Sequence, residues 1–166
     1  SRAGLGGLDG RALRAGDVIA IEGDGRAPIQ PQVAENGDGP IRVTWGLHAD
    51  LFPAPLRERF LAARFVVSSR LDRMGVQLED GERVFADATL LSLASDAIMP
   101  GDIQILGDGT PIVLMRDHQP TGGYPRIATV ITADLDRFAQ LRPGSGLTFT
   151  AVSVEHAQHL LRRGAE

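Results

Sequence analysis

Residues 100–131 read PGDIQILGDGTPIVLMRDHQPTGGYPRIATVI, and this stretch decides the fold class. Apolar, largely β-branched runs lie at 102–106, 111–116 and 126–132, and turn residues such as glycine, proline and aspartate separate them. Runs of this length between turn residues predict β-strands. A doubly wound sheet needs helices between most of its strands, and there is no room for them here. The stretch therefore predicts a mainly β fold.

The rest of the chain repeats this pattern of short strands and adds a few helices. Further strands are predicted at 18–21, 41–45, 64–68, 75–79, 89–94 and 147–153. Helices are predicted over 55–63, 135–140 and 154–163. Asp134 and Ser153 are the expected N-caps of the last two, and Val154, Ala157 and Leu161 are expected to form a buried face. About nine short strands with two or three short helices are typical of a β-barrel or sandwich.

Composition excludes several classes of function. The chain has 166 residues, which predicts a single domain over 1–166 with residues 1–16 as a linker or loop. Its net charge is −4 and its basic residues are dispersed, so no nucleic-acid partner is expected. All 17 basic residues are arginine and cysteine is absent, which excludes lysine Schiff bases and thiol nucleophiles within the chain. No apolar run reaches the roughly 18 residues of a membrane span, so we expect a cytoplasmic protein.

Residues 117–126 form the first candidate site. They supply hydrogen-bonding side chains on either side of the pair Gly122-Gly123. Glycines permit positive φ and a close approach of the backbone to a ligand. The segment is either a ligand-binding loop or a turn whose polar groups satisfy one another. His118, within it, is a candidate acid or base.

The second candidate site is the segment 69–75, at the end of a predicted strand. Arg70 and Arg73 flank Asp72 there. Arginine binds carboxylate or phosphate groups in a bidentate manner. The alternative is a surface ion pair with Asp72, which contributes little energy.

No metal site is predicted. His156 and His159 lie three residues apart on a predicted helix, but nothing nearby completes a ligand set. The Asp-Gly pairs of the chain lack the spacing of a calcium-binding loop. No Walker A, G-x-S-x-G or dinucleotide-binding motif occurs in a strand-to-helix context.

The order of residues 117–125, DHQPTGGYP, resembles the D-x-Q-x-T-G-G-Y-P signature of the allophanate hydrolase subunit 2 family. This family is also called the biotin-dependent carboxyltransferase-like family and includes the C subunit of 5-oxoprolinase. Segments similar to other family motifs occur at 1–11, 72–75, 100–104, 108–112 and 127–140. Leu71 departs from the small polar residue expected before Asp72, which puts the ligand contacts at that position in doubt.

The resemblance implies a cyclophilin-like β-barrel and a chain that forms the C-terminal half of a longer one. It implies a component of an ATP-dependent 5-oxoprolinase, which opens the lactam 5-oxoproline to glutamate. Its partners would be proteins similar to the A and B subunits of 5-oxoprolinase. ATP, shared with these partners, would activate the lactam oxygen by phosphorylation. The candidate catalytic residues are Arg73, Asp117 and Gln119. The candidate substrate-binding residues are Arg70, Thr121, Gly122, Gly123 and Tyr124.

Two alternatives stay open at this point. In the first, the chain is the carboxyltransferase half of a biotin-dependent urea carboxylase or allophanate hydrolase-type enzyme. The loop Gln119–Tyr124 would then contact the ureido ring of biotin. In the second, it is a non-catalytic regulatory module that binds a kinase-inhibitor partner.

Overall fold

The computed structural model describes residues 8–20, 39–86 and 93–163. The chain divides into two compact units, residues 1–33 and 34–166. Compact units of one chain can still belong to one domain, so the single domain expected over 1–166 stays a prediction. None of the helices in the described ranges is long and apolar enough to cross a membrane.

The described part of the first unit is a short turn fixed by one ion pair. A single bridge joins Leu8 to Arg11, and the Arg11 guanidinium binds both carboxylate oxygens of Asp17 at 2.7 Å. This hydrogen bond holds the pKa of Asp17 below its ordinary value. Residues 18–20 do not form the predicted strand. The run is apolar, but residues 18–20 pair with no strand in the described part of the chain, and residue 21 lies outside it.

The second unit contains the strands and helices. The strands are β1 Ile41–Trp45, β2 Phe65–Leu71, β3 Gly75–Asp80, β4 Asp96–Ala97, β5 Asp102–Ile105, β6 Pro111–Leu114, β7 Thr121–Gly122, β8 Arg126–Val130, β9 Gly146–Leu147 and β10 Phe149–Ala151. The helices are a 3-10 turn Ala49–Leu51, α1 Ala54–Ala62, α2 Thr132–Ala139 and α3 Val154–Arg163. This mainly β composition with three short α-helices confirms the predicted fold class.

Eight of the strands form one barrel-like sheet that is nearly closed. Its order is β10-β1-β8-β5-β6-β3-β2-β9. Strands β1 and β10 are parallel, and every other pair in this sheet is antiparallel. Strands β4 and β7 pair separately as a two-stranded ribbon, which we call the β4–β7 ribbon.

Aromatic rings dominate one part of the apolar core. Phe60 of α1 stacks on Phe149 of β10 with their ring centroids 5.0 Å apart. Phe60 also contacts Phe65 of β2 and Phe85, and Phe52 packs edge-on against Phe85. All five rings are fully buried. Each contributes about 1.5–3 kcal/mol by burial, so this cluster fixes α1 against the sheet.

Two further strand predictions have different outcomes. The predicted strand 89–94 lies mostly outside the described residues, and 93–94 are not in a strand. The segment 147–153 contains two short strands rather than one, because β9 pairs with β2 and β10 pairs with β1. Because these two partners differ, the segment is divided into two strands.

The predicted cap of α3 is confirmed, and the predicted cap of α2 is wrong. Ser153 Oγ accepts the His156 N–H at 3.2 Å, as an N-cap should. Helix α2 begins at Thr132, two residues before Asp134, and its N-cap Ile131 makes no side-chain hydrogen bond. Asp134 instead lies in the first turn of α2 and is buried among arginines.

The predicted burial of the apolar face of α3 is also wrong. Val154 is 56% exposed and Leu161 is 47% exposed, and no described residue of α3 is fully buried. Helix α3 packs against α2 at the end of the described chain. A contact with one short helix cannot cover a whole helical face.

Candidate functional site

A cleft of about 700 Å³ lies beside the β2–β3 turn, strands β5 and β6 and the loop that carries β7. Its apolar lining comes from Leu71, Met74, Ile98, Leu106, Ile112 and Leu114. Polar groups from the turn and the loop face the same space. An apolar surface with a few convergent polar groups at this volume suits a small-molecule ligand.

The loop at the cleft is held by backbone pairing. Thr121 pairs with Ala97, and Gly122 pairs with Asp96, in the β4–β7 ribbon. The carbonyl of Pro120 accepts the Ile98 N–H at 3.3 Å. The segment is therefore a hydrogen-bonded strand at the edge of the cleft and not an unpaired turn.

The two glycines of this loop serve close packing. Neither adopts the positive φ that the sequence suggested. A Cβ on Gly122 would lie 2.7 Å from Gln104 Nε2 and 3.2 Å from Ile98 Cδ1. A Cβ on Gly123 would lie 2.8 Å from the Leu93 carbonyl oxygen. The close backbone approach expected toward a ligand is thus made to the protein itself.

Arg126 anchors the β4–β7 ribbon to the barrel. This side chain of β8 is 7% exposed and does not line the cleft. Its guanidinium binds the Ala97 carbonyl at 2.7 Å and the carboxylates of Asp96 at 2.8 Å and Asp102 at 3.4 Å. Burial, together with the nearby Arg126 charge, lowers the pKa of His48. Arg126 therefore positions the loop instead of contacting its ligand.

Within the segment 69–75, Arg70 and Asp72 have different contacts. Arg70, on β2, lines the cleft and approaches Gln77 Oε1 at 3.5 Å. Asp72 Oδ1 accepts the N–H groups of Met74 at 2.8 Å and Gly75 at 3.2 Å. The alternative in which Asp72 forms an arginine ion pair is therefore wrong, because its carboxylate shapes the β2–β3 turn.

Arg73 and Asp117 pair with each other. The Arg73 guanidinium reaches the two Asp117 carboxylate oxygens at 2.9 Å and 3.1 Å, and the Asp117 N–H donates to the Arg73 carbonyl at 2.8 Å. The Arg73 side chain is 85% exposed, and neither residue lines the cleft. A catalytic role for either one stays a prediction.

The other predicted site residues face the cleft. They are Gln119, Thr121, Gly122, Gly123 and Tyr124. His118 lies beside them, with its Nδ1 against the Gln119 carbonyl oxygen. Because a carbonyl oxygen only accepts, Nδ1 carries the proton of the neutral ring and Nε2 keeps its lone pair. His118 can therefore accept a proton at Nε2.

Gln104 is the residue that sequence reasoning missed. It lies in β5, is 5% exposed and lines the cleft. Its Nε2 is buried and has no hydrogen-bond partner among the described residues. The sequence does place this glutamine between two isoleucines in a predicted strand. In the sequence analysis it appears only within the family-like motif at 100–104.

A smaller polar recess of about 380 Å³ shares Ser69, Arg70 and Gln77 with the cleft. Asp80 lines this recess, where its Oδ2 accepts the Val84 N–H at 2.6 Å. Arg70 thus borders two concave surfaces. Within the described ranges no three His, Asp or Glu side chains are placed to hold a metal ion.

The cleft fits a small neutral ring better than a nucleotide. Arg70 is the only arginine among the described residues that line it. One arginine cannot balance the roughly four negative charges of a triphosphate at neutral pH. The buried donor of Gln104 fits the carbonyl oxygen of a lactam or of a ureido ring.

Comparison with known proteins shows the family of the chain. The sequence profile of the carboxyltransferase domain, subdomains A and B, matches residues 1–151. The chain belongs to this carboxyltransferase family. It is 34% identical to the C subunit of 5-oxoprolinase from Escherichia coli over 94% of this chain and 50% of that one. It is 36% identical to the corresponding 5-oxoprolinase subunit from Haemophilus influenzae over 98% of this chain and 52% of that one.

Solved structures of the family share the fold. The chain matches the K. lactis urea amidolyase with a TM-score of 0.64 and 25% identity. This match covers 74% of the present chain and 8% of the amidolyase. The chain spans about half the length of the two curated relatives.

Proposed function

We propose that the chain forms the ligand cleft of a multi-subunit hydrolase that opens 5-oxoproline, the reaction named in its bacterial relatives. The observation that carries this proposal is the convergence of Arg70 with the Gln119–Tyr124 loop at one cleft with an apolar lining. The ligand is a five-membered lactam that bears a carboxylate. The apolar lining suits its ring methylenes, and the polar edge suits its amide and carboxylate.

Arg70 is the proposed carboxylate-binding residue. Arg70 lines the cleft, and its one side-chain hydrogen bond among the described residues, to Gln77, is long at 3.5 Å. Its charge also helps to lower the pKa of Asp108, but the two side chains do not form an ion pair. A guanidinium without a strong partner can form a bidentate pair with an incoming carboxylate. Arg73 differs because its guanidinium is already paired with Asp117.

His118 is the proposed proton acceptor of the cleft. Lactam hydrolysis adds water to the carbonyl carbon and breaks the ring C–N bond. The water proton can pass to His118 Nε2, which is free to accept it in the neutral ring. The same nitrogen can then return the proton to the leaving amine.

ATP, bound with partner subunits, would transfer its terminal phosphoryl group to the lactam oxygen and leave as ADP. Water would then open the ring to an acyl phosphate, and a second water would release glutamate and inorganic phosphate. The described part of the cleft does not fit a triphosphate, so we propose that partners similar to the A and B subunits of 5-oxoprolinase hold the nucleotide. The function of the present chain in this scheme is to bind and orient the ring and to accept the proton of the attacking water.

The similarity to urea amidolyase favours a second candidate, a carboxyltransferase site for biotin. The ureido ring of biotin also presents a carbonyl oxygen and N–H groups to a cleft of this kind. Arg70 separates the candidates, because a ureido ring carries no carboxylate on the ring.

The test is ATP-dependent release of glutamate from 5-oxoproline by the full-length protein with its candidate partner subunits. We expect release, and we expect Arg70→Ala to raise the KM for 5-oxoproline at least about tenfold, as the loss of one charge-assisted hydrogen bond predicts. Arg142→Ala, which removes an exposed arginine outside the cleft, is the matched control. Absence of release by the complete assembly would contradict the proposal. Release with an unchanged KM in Arg70→Ala would show that Arg70 does not bind the substrate carboxylate.

A further inference from the structure

Gln104 occupies an unusual position for a polar side chain. All four residues of β5 are buried, and its neighbours Ile103 and Ile105 are completely so. The glutamine side chain lines the cleft from within this buried strand. A buried amide without a full set of partners lowers the stability of a fold. Such a group calls for an explanation other than folding.

The regular alternation of β5 directs the Gln104 side chain to the cleft. Ile103 and Ile105 belong to the apolar core, and Gln104 between them lines the cleft on the other face. Gln104 pairs regularly with Ile112 of β6. On the other edge a bulge on β8 makes Ile127 the extra residue between the partners of Ile103 and Gln104.

The loop across the cleft leaves room for this amide. Gly122 lies so close that a Cβ at this position would come within 2.7 Å of Gln104 Nε2. Ile98 closes the same side of the amide, because its Cδ1 and Cγ2 would lie 3.2 Å and 3.4 Å from that Cβ. Gly122 and Ile98 thus lie together on one side of the amide, while its donor remains without a partner among the described residues.

We propose that Gln104 Nε2 donates a hydrogen bond to the carbonyl oxygen of a cyclic amide or cyclic urea bound in the cleft. Gln104 then determines specificity for a ring carbonyl, while Arg70 binds the carboxylate of a lactam that has one. This inference rests on the proposed function for its substrate class, since both use the same cleft. A neutral carbonyl is the partner that fits, because Gln104 Nε2 is a neutral donor and, being buried, would require a carboxylate bound to it to lose its water.

The test uses the full-length protein with selectively labelled glutamine amides, observed by NMR during titration with three ligands. These are 5-oxoproline, 2-imidazolidinone and cyclopentanecarboxylate, which keeps the ring and carboxylate of 5-oxoproline but lacks the amide. We expect 5-oxoproline or 2-imidazolidinone to shift the Gln104 side-chain resonance, and cyclopentanecarboxylate to leave it unchanged. A Gln104 resonance that stays fixed at saturation with both carbonyl ligands would overturn the proposal.

Two variants of Gln104 provide the second part of this test. Gln104→Leu removes the donor, and Gln104→Glu places an acceptor where the donor was. We expect each to weaken binding of the carbonyl ligand at least about tenfold, with the larger loss in Gln104→Glu. Gln158→Glu makes the same chemical change on the exposed surface of α3 and should leave affinity unchanged. Folded Gln104 variants with wild-type affinity would refute the proposal.

The outcomes separate this inference from the proposed function. Binding of 2-imidazolidinone through Gln104 without glutamate release from 5-oxoproline would retain Gln104 and reject the lactamase function. Glutamate release that is unaffected in Gln104→Leu would retain the function and reject Gln104.

Discussion

Asp134 and Gln104 are both buried polar residues, 1% and 5% exposed, yet they differ in how their polar atoms are satisfied. Asp134 accepts hydrogen bonds from the backbone N–H of Arg42 at 2.8 Å, from the Arg42 guanidinium and from Arg137 at 3.0 Å. Gln104 Nε2 finds no partner in the described part of the chain. The first group ties α2 to β1, whereas the second faces a cleft.

This difference separates stabilisation from binding. A buried carboxylate with several donors costs much stability when it is removed, because its arginine partners lose their counter-charge. A buried donor without an acceptor costs little or nothing to replace by an apolar group of the same shape. Substitutions at the two positions should therefore act in opposite directions on stability.

The largest expected effect is that of Asp134→Asn. We expect the free energy of unfolding to fall by about 3 kcal/mol, because Arg42 and Arg137 lose a shared anion inside the fold. Asp136→Asn, at an exposed position of the same helix, should change it by less than about 0.5 kcal/mol. Chemical denaturation measures both. Equal stability of the two variants would show that Asp134 does not hold α2 to β1.

In the wild type, low pH should remove the stabilisation that Asp134 provides. Burial raises the pKa of Asp134, but the hydrogen bonds from Arg42 and Arg137 outweigh it and hold the pKa below its ordinary value. A lowered folded pKa means that the stabilisation is complete above the unfolded pKa, about 4, and is lost as pH falls through the folded pKa. Denaturation midpoints between pH 6 and pH 2 should therefore fall less steeply in Asp134→Asn than in the wild type. Parallel curves would contradict this assignment.

The next effect concerns the cleft. Gly122→Ala should lower the free energy of unfolding by about 1–3 kcal/mol, because the new Cβ meets Gln104 Nε2 and Ile98. It should also displace the Gln104 amide and weaken ligand binding. Gly81→Ala is the matched control, since a Cβ there has no neighbour within 4 Å. Ligand affinity that is unchanged in folded Gly122→Ala would show that the loop does not control the amide.

The smallest expected effect on stability is that of Arg73→Ala. The Arg73–Asp117 pair is exposed, so its loss should change the free energy of unfolding by less than about 1 kcal/mol. Ligand affinity should stay at the wild-type value, because neither residue lines the cleft. Turnover by the assembled enzyme then tests the predicted catalytic role of Arg73, which requires a lower kcat at an unchanged melting temperature.

Sequence reasoning succeeded where the signals are local. Turn residues flank β5, β6 and β8, and each of these strands was predicted to within two residues at either end. Ser153 capped α3 as expected, because a cap involves only the next three residues. Arg70 and the candidate residues of the 119–124 loop line one cleft, and their roles in binding and catalysis stay predictions.

It failed where the deciding contact is distant along the chain. Asp134 was expected to be a cap, but its partner Arg42 lies 92 residues away. The sequence showed that Gly122 permits positive φ and a close backbone approach, but a Cβ there is excluded by the amide of Gln104 on another strand. Whether a buried glutamine has a hydrogen-bond partner depends on such neighbours, and no local pattern reveals it.

The most direct test of the role of Gln104 is the ligand-induced shift in melting temperature of Gln104→Leu, measured with saturating 5-oxoproline and 2-imidazolidinone beside the wild type. We predict that the variant without ligand melts at or above the wild-type temperature, because an unpaired buried donor is gone. We also predict that the stabilisation by ligand disappears, since that donor binds the ring carbonyl. A variant that melts lower without ligand and keeps the full ligand-induced shift would contradict both the binding role of Gln104 and its contrast with Asp134.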